Sequence, residues 1–281
     1  MYNAQTSIHQ SICQEPFLIS DHNEIISLAD LLLTLNEWLQ PMGIQDYCPN
    51  GLQVEGRSAI KRIVTGVTAC EALIDRAIAN DADALLVHHG YFWKGEAPAL
   101  LGMKKQRIAK LLKHDISLLA YHLPLDVHLE LGNNAGLAKQ LSLLVEGQVA
   151  AGGTENLLWY GRLPAAMNQQ QLGQFVESKL ARKPLIISPS TGLTDSRDYQ
   201  SIAWCSGGAQ GFIDDAAALG VDVYLSGEIS EQTVHSAREL GVCYVAAGHH
   251  ASERYGVQLL GNALREKLSI DVQFEDIDNP A

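Results

Sequence analysis

Apolar positions along this chain change their period from one segment to the next, and the changes mark its elements. Ile25, Leu28, Leu32, Leu35 and Leu39 recur at the spacing of one helix face, and Ser27 with Asp30 resembles a capping box at its start. Pro41-Met42-Gly43 ends that helix, and Cys48-Pro49-Asn50-Gly51-Leu52-Gln53 reads as a loop around a tight Asn-Gly turn. A strand-helix-strand pattern follows. Arg62 to Val67 reads as a strand, Ala69 to Asn80 as an amphipathic helix, and Ala84 to Val87 as a strand that ends at His88-His89-Gly90. The loop Tyr91-Phe92-Trp93 leads to a helix over 103–113. A third strand, Ile116 to Tyr121, ends at His122-Leu123-Pro124-Leu125-Asp126-Val127-His128, and a helix near Asn134 to Leu144 follows.

Residues 154–244 repeat this grammar. Leu157 to Tyr160, Leu185 to Ser188, Ile202 to Cys205 and Val223 to Leu225 read as strands. Gln170 to Leu180, the stretch around Asp214 to Leu219, and Glu231 to Leu240 read as helices, and Ser206 to Gly211 is a glycine turn. Val242 to Ala247 is a last apolar strand. Gly248 turns the backbone, and helical spacing resumes through Leu259, Leu260, Leu264 and Leu268. Such alternation predicts an α/β fold, with two α/β domains, mostly parallel sheets and right-handed crossovers. The expected division is an N-terminal extension over 1–24, a first domain of 25–128 plus 245–281, and a second domain of 129–244. The first domain is then discontinuous in sequence.

Composition narrows the function classes. The 281 residues are 47% hydrophobic, enough for two cores. Twenty basic against thirty-two acidic residues give a net charge of -12 with no local basic cluster, which argues against nucleic acid as a partner. The five cysteines are scattered without a CxxC pair, as expected of buried thiols in a reducing compartment. No apolar run is long enough to span a bilayer and no basic leader precedes one, so the expectation is a soluble cytoplasmic protein without a membrane partner.

The chemistry concentrates at strand ends. His88-His89, Asp126 and His249 each follow a predicted strand, and in open parallel sheets ligands gather outside the carboxyl ends of the strands. His249 and Glu253 lie one helical turn apart on one face. Taken singly, each piece has a plainer reading: a cap, a turn aspartate, a solvated i,i+4 pair. Together, His88, His89, Asp126, His249 and Glu253 exceed the three protein groups of a catalytic zinc and suit two ions sharing a carboxylate. Imidazole with carboxylate favours zinc, iron, manganese, cobalt or nickel over calcium.

His122 and His128 flank Asp126 and are candidates for proton transfer, with loop-ordering roles as the alternative. His250 should point away from its neighbour's metal. Glu228 and His235 read as helix-start and helix-surface residues, with substrate contact as the alternative. Gly207-Gly208 reads as a tight turn rather than an anion cradle. Tyr91, Phe92 and Trp93 read either as a stacking surface or as an aromatic plug.

Three segments carry a resemblance. Val87-His88-His89-Gly90, Tyr121 to Asp126, and Gly248-His249-His250 through Glu253-Arg254-Tyr255-Gly256 resemble, in order and placement, the signatures of the NIF-three-like family, also called the GTP cyclohydrolase I type 2 family. Pro49 to Gln53 and Ser226-Gly227-Glu228 resemble lesser landmarks of it. The resemblance implies a two-domain α/β protein, a homo-oligomer in the form of a hexameric ring, and two divalent metal ions per chain facing an internal cavity. The ligands it implies are His88, His89, Asp126, His249 and Glu253. Residues 1–24 look like an added tail, and the chain is too short for the extra middle domain of some relatives. The activity implied is hydrolysis of a small nucleotide-like substrate; the family name suggests opening of the GTP imidazole ring with loss of formate. A non-catalytic metal-binding scaffold or regulator acting through protein partners, and a two-metal phosphoesterase, are the alternatives.

Overall fold

The computed structural model describes residues 24–189 and 197–281, so the expected extension lies outside the described residues apart from position 24. A short strand β1 (Ile26–Ser27) opens into helix α1 (Leu28–Leu39). Ser27 caps the helix by accepting the Asp30 N–H. Leu28, Leu31, Leu35 and Leu39 form its buried stripe, whereas Ile25, expected to begin that stripe, is exposed ahead of the helix. Strands β2 (Gly51–Val54), β3 (Ala59–Ile60) and β4 (Arg62–Thr68) follow. Next come α2 (Glu71–Ala79), β5 (Ala84–His89), α3 (Gly102–His114), β6 (Ser117–Ala120), α4 (Leu123–Val127) and α5 (Asn133–Gln140).

Helix α5 stops short of the expected Leu144, and the chain enters a hairpin of β7 (Leu144–Ala151) and β8 (Thr154–Met167). The two-residue turn Gly152-Gly153 has positive φ at both positions, the geometry that suits a right-twisted hairpin. Helix α6 (Gln169–Leu180), β9 (Leu185–Ile187), β10 (Tyr199–Trp204), α7 (Ile213–Ala218), β11 (Val223–Ser226) and α8 (Glu231–Leu240) lead to β12 (Cys243–Ala246), the long α9 (His249–Leu268) and β13 (Asp271–Phe274).

The strands form two main sheets. The first has the order β13-β4-β5-β6-β2, parallel except for the edge strand β2. The second has the order β7-β8-β10-β11-β12-β9, with a parallel centre flanked by antiparallel strands. Each sheet is covered on both faces. Leucines of α1 and α9 pack on one face of the first sheet, and Leu73, Ile74, Ile108 and Leu111 of α2 and α3 on the other. Burial on both faces explains why Ala84 to Val87 of β5 reads as an unbroken apolar run.

One expectation is corrected here. The expected division puts the end of the strand before His249 in the first domain. Instead β12 pairs with β11 in parallel and β9 in antiparallel, inside the second sheet. Its residues Cys243, Tyr244, Val245 and Ala246 are all buried, and β11-α8-β12 is a contiguous crossover unit that keeps neighbouring strands together. The chain leaves this sheet at Gly248, and α9 then packs against the first sheet. Among the described residues, no helix is long and apolar enough to cross a membrane.

A carboxylate latch holds the centre of the second sheet. Asp222 Oδ2 accepts the N–H groups of Gln200 and Ser201 and the Ser201 hydroxyl, at 2.9, 2.9 and 2.7 Å. Burial opposes its ionisation, but these hydrogen bonds outweigh burial and lower its pKa below the usual carboxylate value. A carboxyl depressed in the folded state adds stability above its unfolded pKa of about 3.9 and loses it as pH falls through the folded value. Asp222→Ala is therefore expected to cost about 1–2 kcal/mol in urea unfolding at pH 7, with the deficit shrinking below about pH 4. An equal deficit at pH 7 and pH 3 would contradict this.

Candidate metal centre

The carboxyl ends of the two sheets meet. Strands β5 and β6 are neighbours, so His88 and His89 lie beside the turn after Ala120. There His122 precedes α4, which carries Asp126. From the second sheet, the chain leaves β12 at Ala246 and turns at Gly248, whose φ of 103° starts α9. Its first turns deliver His249 and, one turn later, Glu253. The loop after β10 brings Ser206 and Gly207 to the same place, where Gly207 donates its N–H to Ser252 Oγ.

Four imidazoles present the same face. The Nδ1 of His88 donates to Tyr121 O at 3.0 Å, and that of His89 lies 3.1 Å from Thr68 Oγ1. His122 Nδ1 meets Asp46 Oδ1 at 2.7 Å, and His249 Nδ1 meets Glu228 Oε1 at 2.8 Å. With every Nδ1 engaged, the Nε2 atoms are left to turn inward. An outer partner fixes the tautomer of ligating histidines in just this manner.

The inner atoms lie close together. His88 Nε2 is 3.6 Å from Asp126 Oδ1 and 3.5 Å from Glu253 Oε1. Glu253 Oε2 is 3.2 Å from His89 Nε2 and 3.1 Å from His249 Nε2. Yet His88 Nε2 and Glu253 Oε2 are buried without a hydrogen-bond partner. Polar atoms orphaned in this way are costly unless something else satisfies them. Ligand atoms ~2.0–2.1 Å from a tetrahedral ion would be about 3.3–3.4 Å apart, and the spacings here bracket that value. Three of the four metal-competent groups among the described residues involve this cluster's inner faces: His88–Asp126–Glu253, His89–His249–Glu253 and His88–His89–His122.

The electrostatics fit a site awaiting positive charge. Burial opposes protonation of His88, but Asp126 and Glu253 outweigh it and raise its pKa to about 9. The same contest, won by Glu253 and Glu228, raises His249 to about 9. Burial, with the surrounding imidazoles, pushes His89 down to about 3. Burial also raises Asp126, with Glu253 adding to the shift. Glu253 is held well below its ordinary value: burial works against ionisation, but His89, His88 and His249 prevail. A cavity of about 220 Å³ opens from the cluster, with Asp126, His122, His249 and Glu253 on its wall.

Residues 26–280 match the family described as Duf34/NIF3 (NGG1p interacting factor 3). The chain belongs to the Duf34/NIF3 family. It is 53% identical over 256 residues to a Pseudomonas aeruginosa protein named "GTP cyclohydrolase 1 type 2 homolog", covering 91% of this chain and 99% of the relative. An Escherichia coli K12 protein of the same name is 51% identical over 253 residues, covering 90% and 99%. Among solved structures, one described as "protein ybgI, unknown function" superposes with a TM-score of 0.85 at 49% identity, over 91% of this chain and 100% of that one. A protein from Thermus thermophilus gives 0.80 at 28% identity, over 91% and 100%. The Duf34/NIF3 match spans both sheets, so the two carboxyl edges that form the cluster fall within one family unit.

The structure brings His88, His89, Asp126, His249 and Glu253 together, with His122 beside them. His128 Nδ1 accepts the N–H groups of Glu130 and Leu131, so it orders the loop after α4. His250 points away, as expected, and pairs with Asp276 at 2.7 Å. Glu228, read as a helix-start residue, instead orients His249. Trp93 stands 5.0 Å from the His122 ring and 6.0 Å from His89, while Tyr91 is a buried plug donating to Ala69 O.

Asp46 is the residue that sequence reasoning missed. Besides His122, it accepts the N–H groups of Tyr47 and Leu123 and the Asn50 side-chain amide. It sits in an aperiodic loop; the only signal was its closeness to the Asn50-Gly51 turn. Asn133 and Ser206, which donate to Asp126 Oδ1 at 2.9 and 3.3 Å, also carried no pattern.

Proposed function

We propose that this chain is a metal-dependent hydrolase that holds two divalent cations and acts on a small heterocyclic, nucleotide-like molecule. The observation that carries this reading is the pair of ligand groups sharing Glu253. Its Oε1 would serve the ion beside His88 and Asp126, and its Oε2 the ion beside His89 and His249. When bound, such a pair of ions supplies a nucleophile at neutral pH and neutralises charge developing on the substrate.

The chain's own residues supply the rest. His122 gives its Nδ1 proton to the Asp46 hydrogen bond, which leaves Nε2 free to carry a proton. In ring opening, a water oxygen bonds to an electrophilic ring carbon and the carbon–nitrogen bond breaks. His122 would receive a proton from that water and deliver it to the departing nitrogen. Asp46 acts as a positioning residue through the imidazole. The names of the relatives, which refer to GTP cyclohydrolase, support a ring-opening hydrolysis over the alternatives.

The test is metal content followed by release of formate or phosphate from a panel of nucleosides and nucleotides, with Asp126→Ala as control. Turnover that is lost together with metal supports the hydrolase. Metal retained without turnover across the panel favours a scaffold, and phosphate release alone favours a phosphoesterase. Asp46→Asn is expected to lower kcat about 10²-fold with metal content unchanged. Unaltered kcat in that variant would remove His122 from the mechanism.

A further inference from the structure

The two turns of α9 that carry His249 and Glu253 stand between a glycine pivot and a later apolar anchor. The chain turns at Gly248, and the α9 residues in the core of the first sheet begin only at Val257. In between, hydrogen bonds hold the helix. Ser252 Oγ and the Gly256 N–H are tied on one side, to the Gly207 N–H and to Asn133 Oδ1. Residues 275–281 tie the helix on another side.

This segment leaves β13 with the Glu275 N–H donating to Thr65 O at 2.9 Å, and Ile277 packs into the core that α2 and α3 share with the first sheet. Asp276, between them, reaches α9. Its Oδ1 is 2.7 Å from His250 Nε2, and its Oδ2 accepts from Arg254 Nη1 at 3.0 Å. His250 and Arg254 each follow one ligand of the cluster. They repeat the one-turn spacing of His249 and Glu253, about 100° further round the helix. One carboxylate therefore grips both ligand-bearing turns, from a face that the ligands do not use. Bonds to two residues a turn apart oppose rotation about the helix axis, the motion that would swing His249 and Glu253 away together.

The grip extends to the second sheet. Arg254 Nη2 donates to Leu180 O, at the end of α6, at 2.6 Å. Pro280 O accepts from Arg182 Nη2 at 2.6 Å, and Ala281 O accepts the His250 N–H at 3.3 Å. Arg182 lies on the pivot itself: a Cβ on Gly248 would stand 2.6 Å from its Nε.

We propose that Asp276 is a positioning residue that sets the rotation of α9, so that cation affinity depends on a carboxylate that touches no cation. The inference rests on the reading of the cluster as a metal centre.

Cobalt(II) titration in competition with a chelator tests it, with the visible absorption of the bound ion reporting ligand geometry. Asp276→Ala is expected to weaken cobalt binding about 10–100-fold and to change the band shape. Exposed ion pairs add little to global stability, so the urea midpoint of the metal-free variant should stay parental. A purely structural role would move that midpoint and leave the affinity in place. Arg254→Ala should also weaken binding, and the double variant should bind no more weakly than the weaker single, as groups acting as one unit do. Asp276→Asn, which keeps the shape and one acceptor, should fall between parent and Asp276→Ala. Asp271→Ala is the control: it removes a 2.7 Å bond from Arg62 that involves neither ligand-bearing turn, and affinity and spectrum should stay parental. Parental cobalt affinity and spectrum in Asp276→Ala, or equal losses in Asp276→Ala and Asp271→Ala, would overturn the inference. No cobalt uptake by the parent would sink the metal-centre reading and the inference with it, a pattern distinct from tight binding by parent and variant alike.

Discussion

Glu253→Ala is expected to empty the metal centre, taking metal content from about two ions per chain to near zero. Each oxygen of this carboxylate faces a different set of imidazoles: Oε1 faces His88, and Oε2 faces His89 and His249. Among the described residues, no other side chain belongs to both the His88–Asp126 and the His89–His249 groups. A single substitution therefore dismantles both positions, whereas His89→Ala should spare the one beside Asp126. The helix itself should survive. Val257, Leu260 and Leu264 of α9 are fully buried in the core of the first sheet, and burying each contributes about 1.5–3 kcal/mol independently of the carboxylate. Far-ultraviolet circular dichroism of the variant should match the parent while plasma emission spectrometry reads the metal loss. Glu253→Gln, which keeps the shape and removes the charge, should fall between them. Parental metal content in Glu253→Ala would refute the ligand assignment.

Gly207→Ala is expected to damage the same centre from outside the ligand set. Gly207 has φ +66°, and a Cβ there would overlap Glu253 Oε1 and sit 3.3 Å from His249 Nε2. The loop has little freedom to retreat. Its N–H donates to Ser252 Oγ at 3.0 Å, and its carbonyl accepts from Gly227 N and Ser226 Oγ at 2.9 and 3.2 Å. The left-handed backbone alone costs an alanine about 1–2 kcal/mol, and the clash must be relieved by moving the carboxylate. Metal affinity should drop about 10–100-fold or more, the range seen when groups around ligands are disturbed. Gly211→Ala is the control. That position has no atom within 4 Å of the added methyl, so stability and metal content should both stay parental. Equal behaviour of the two variants in metal titration and thermal unfolding would contradict the packing argument.

These outcomes bear on what the sequence could reveal. The candidate ligands were legible because their signals are local: paired histidines ending an apolar strand, an aspartate after the next strand, and an i,i+4 pair opening a helix. The route by which they meet was not. Residues 242–247 are as apolar as any strand of the first sheet, and nothing local says which sheet receives them; pairing with β11 does. The β7–β8 hairpin was hidden because Leu143, Leu144 and Val145 extend the apolar run of α5, although Gly152-Gly153 marked its turn. Asp46 and Glu228 act through hydrogen bonds to residues 76 and 21 positions away, and no periodicity carries that information. For His128 the sequence left two roles open, and the Nδ1 hydrogen bonds to two backbone N–H groups show the loop-ordering one.

The most direct test is a crystal structure of metal-reconstituted protein with anomalous scattering recorded at the edge of the added ion. The account predicts two peaks ~3.5–4 Å apart, one against His88 and Asp126, the other against His89 and His249, with Glu253 touching both. A fully reconstituted protein showing no peak among these five side chains, or peaks only elsewhere, would contradict it.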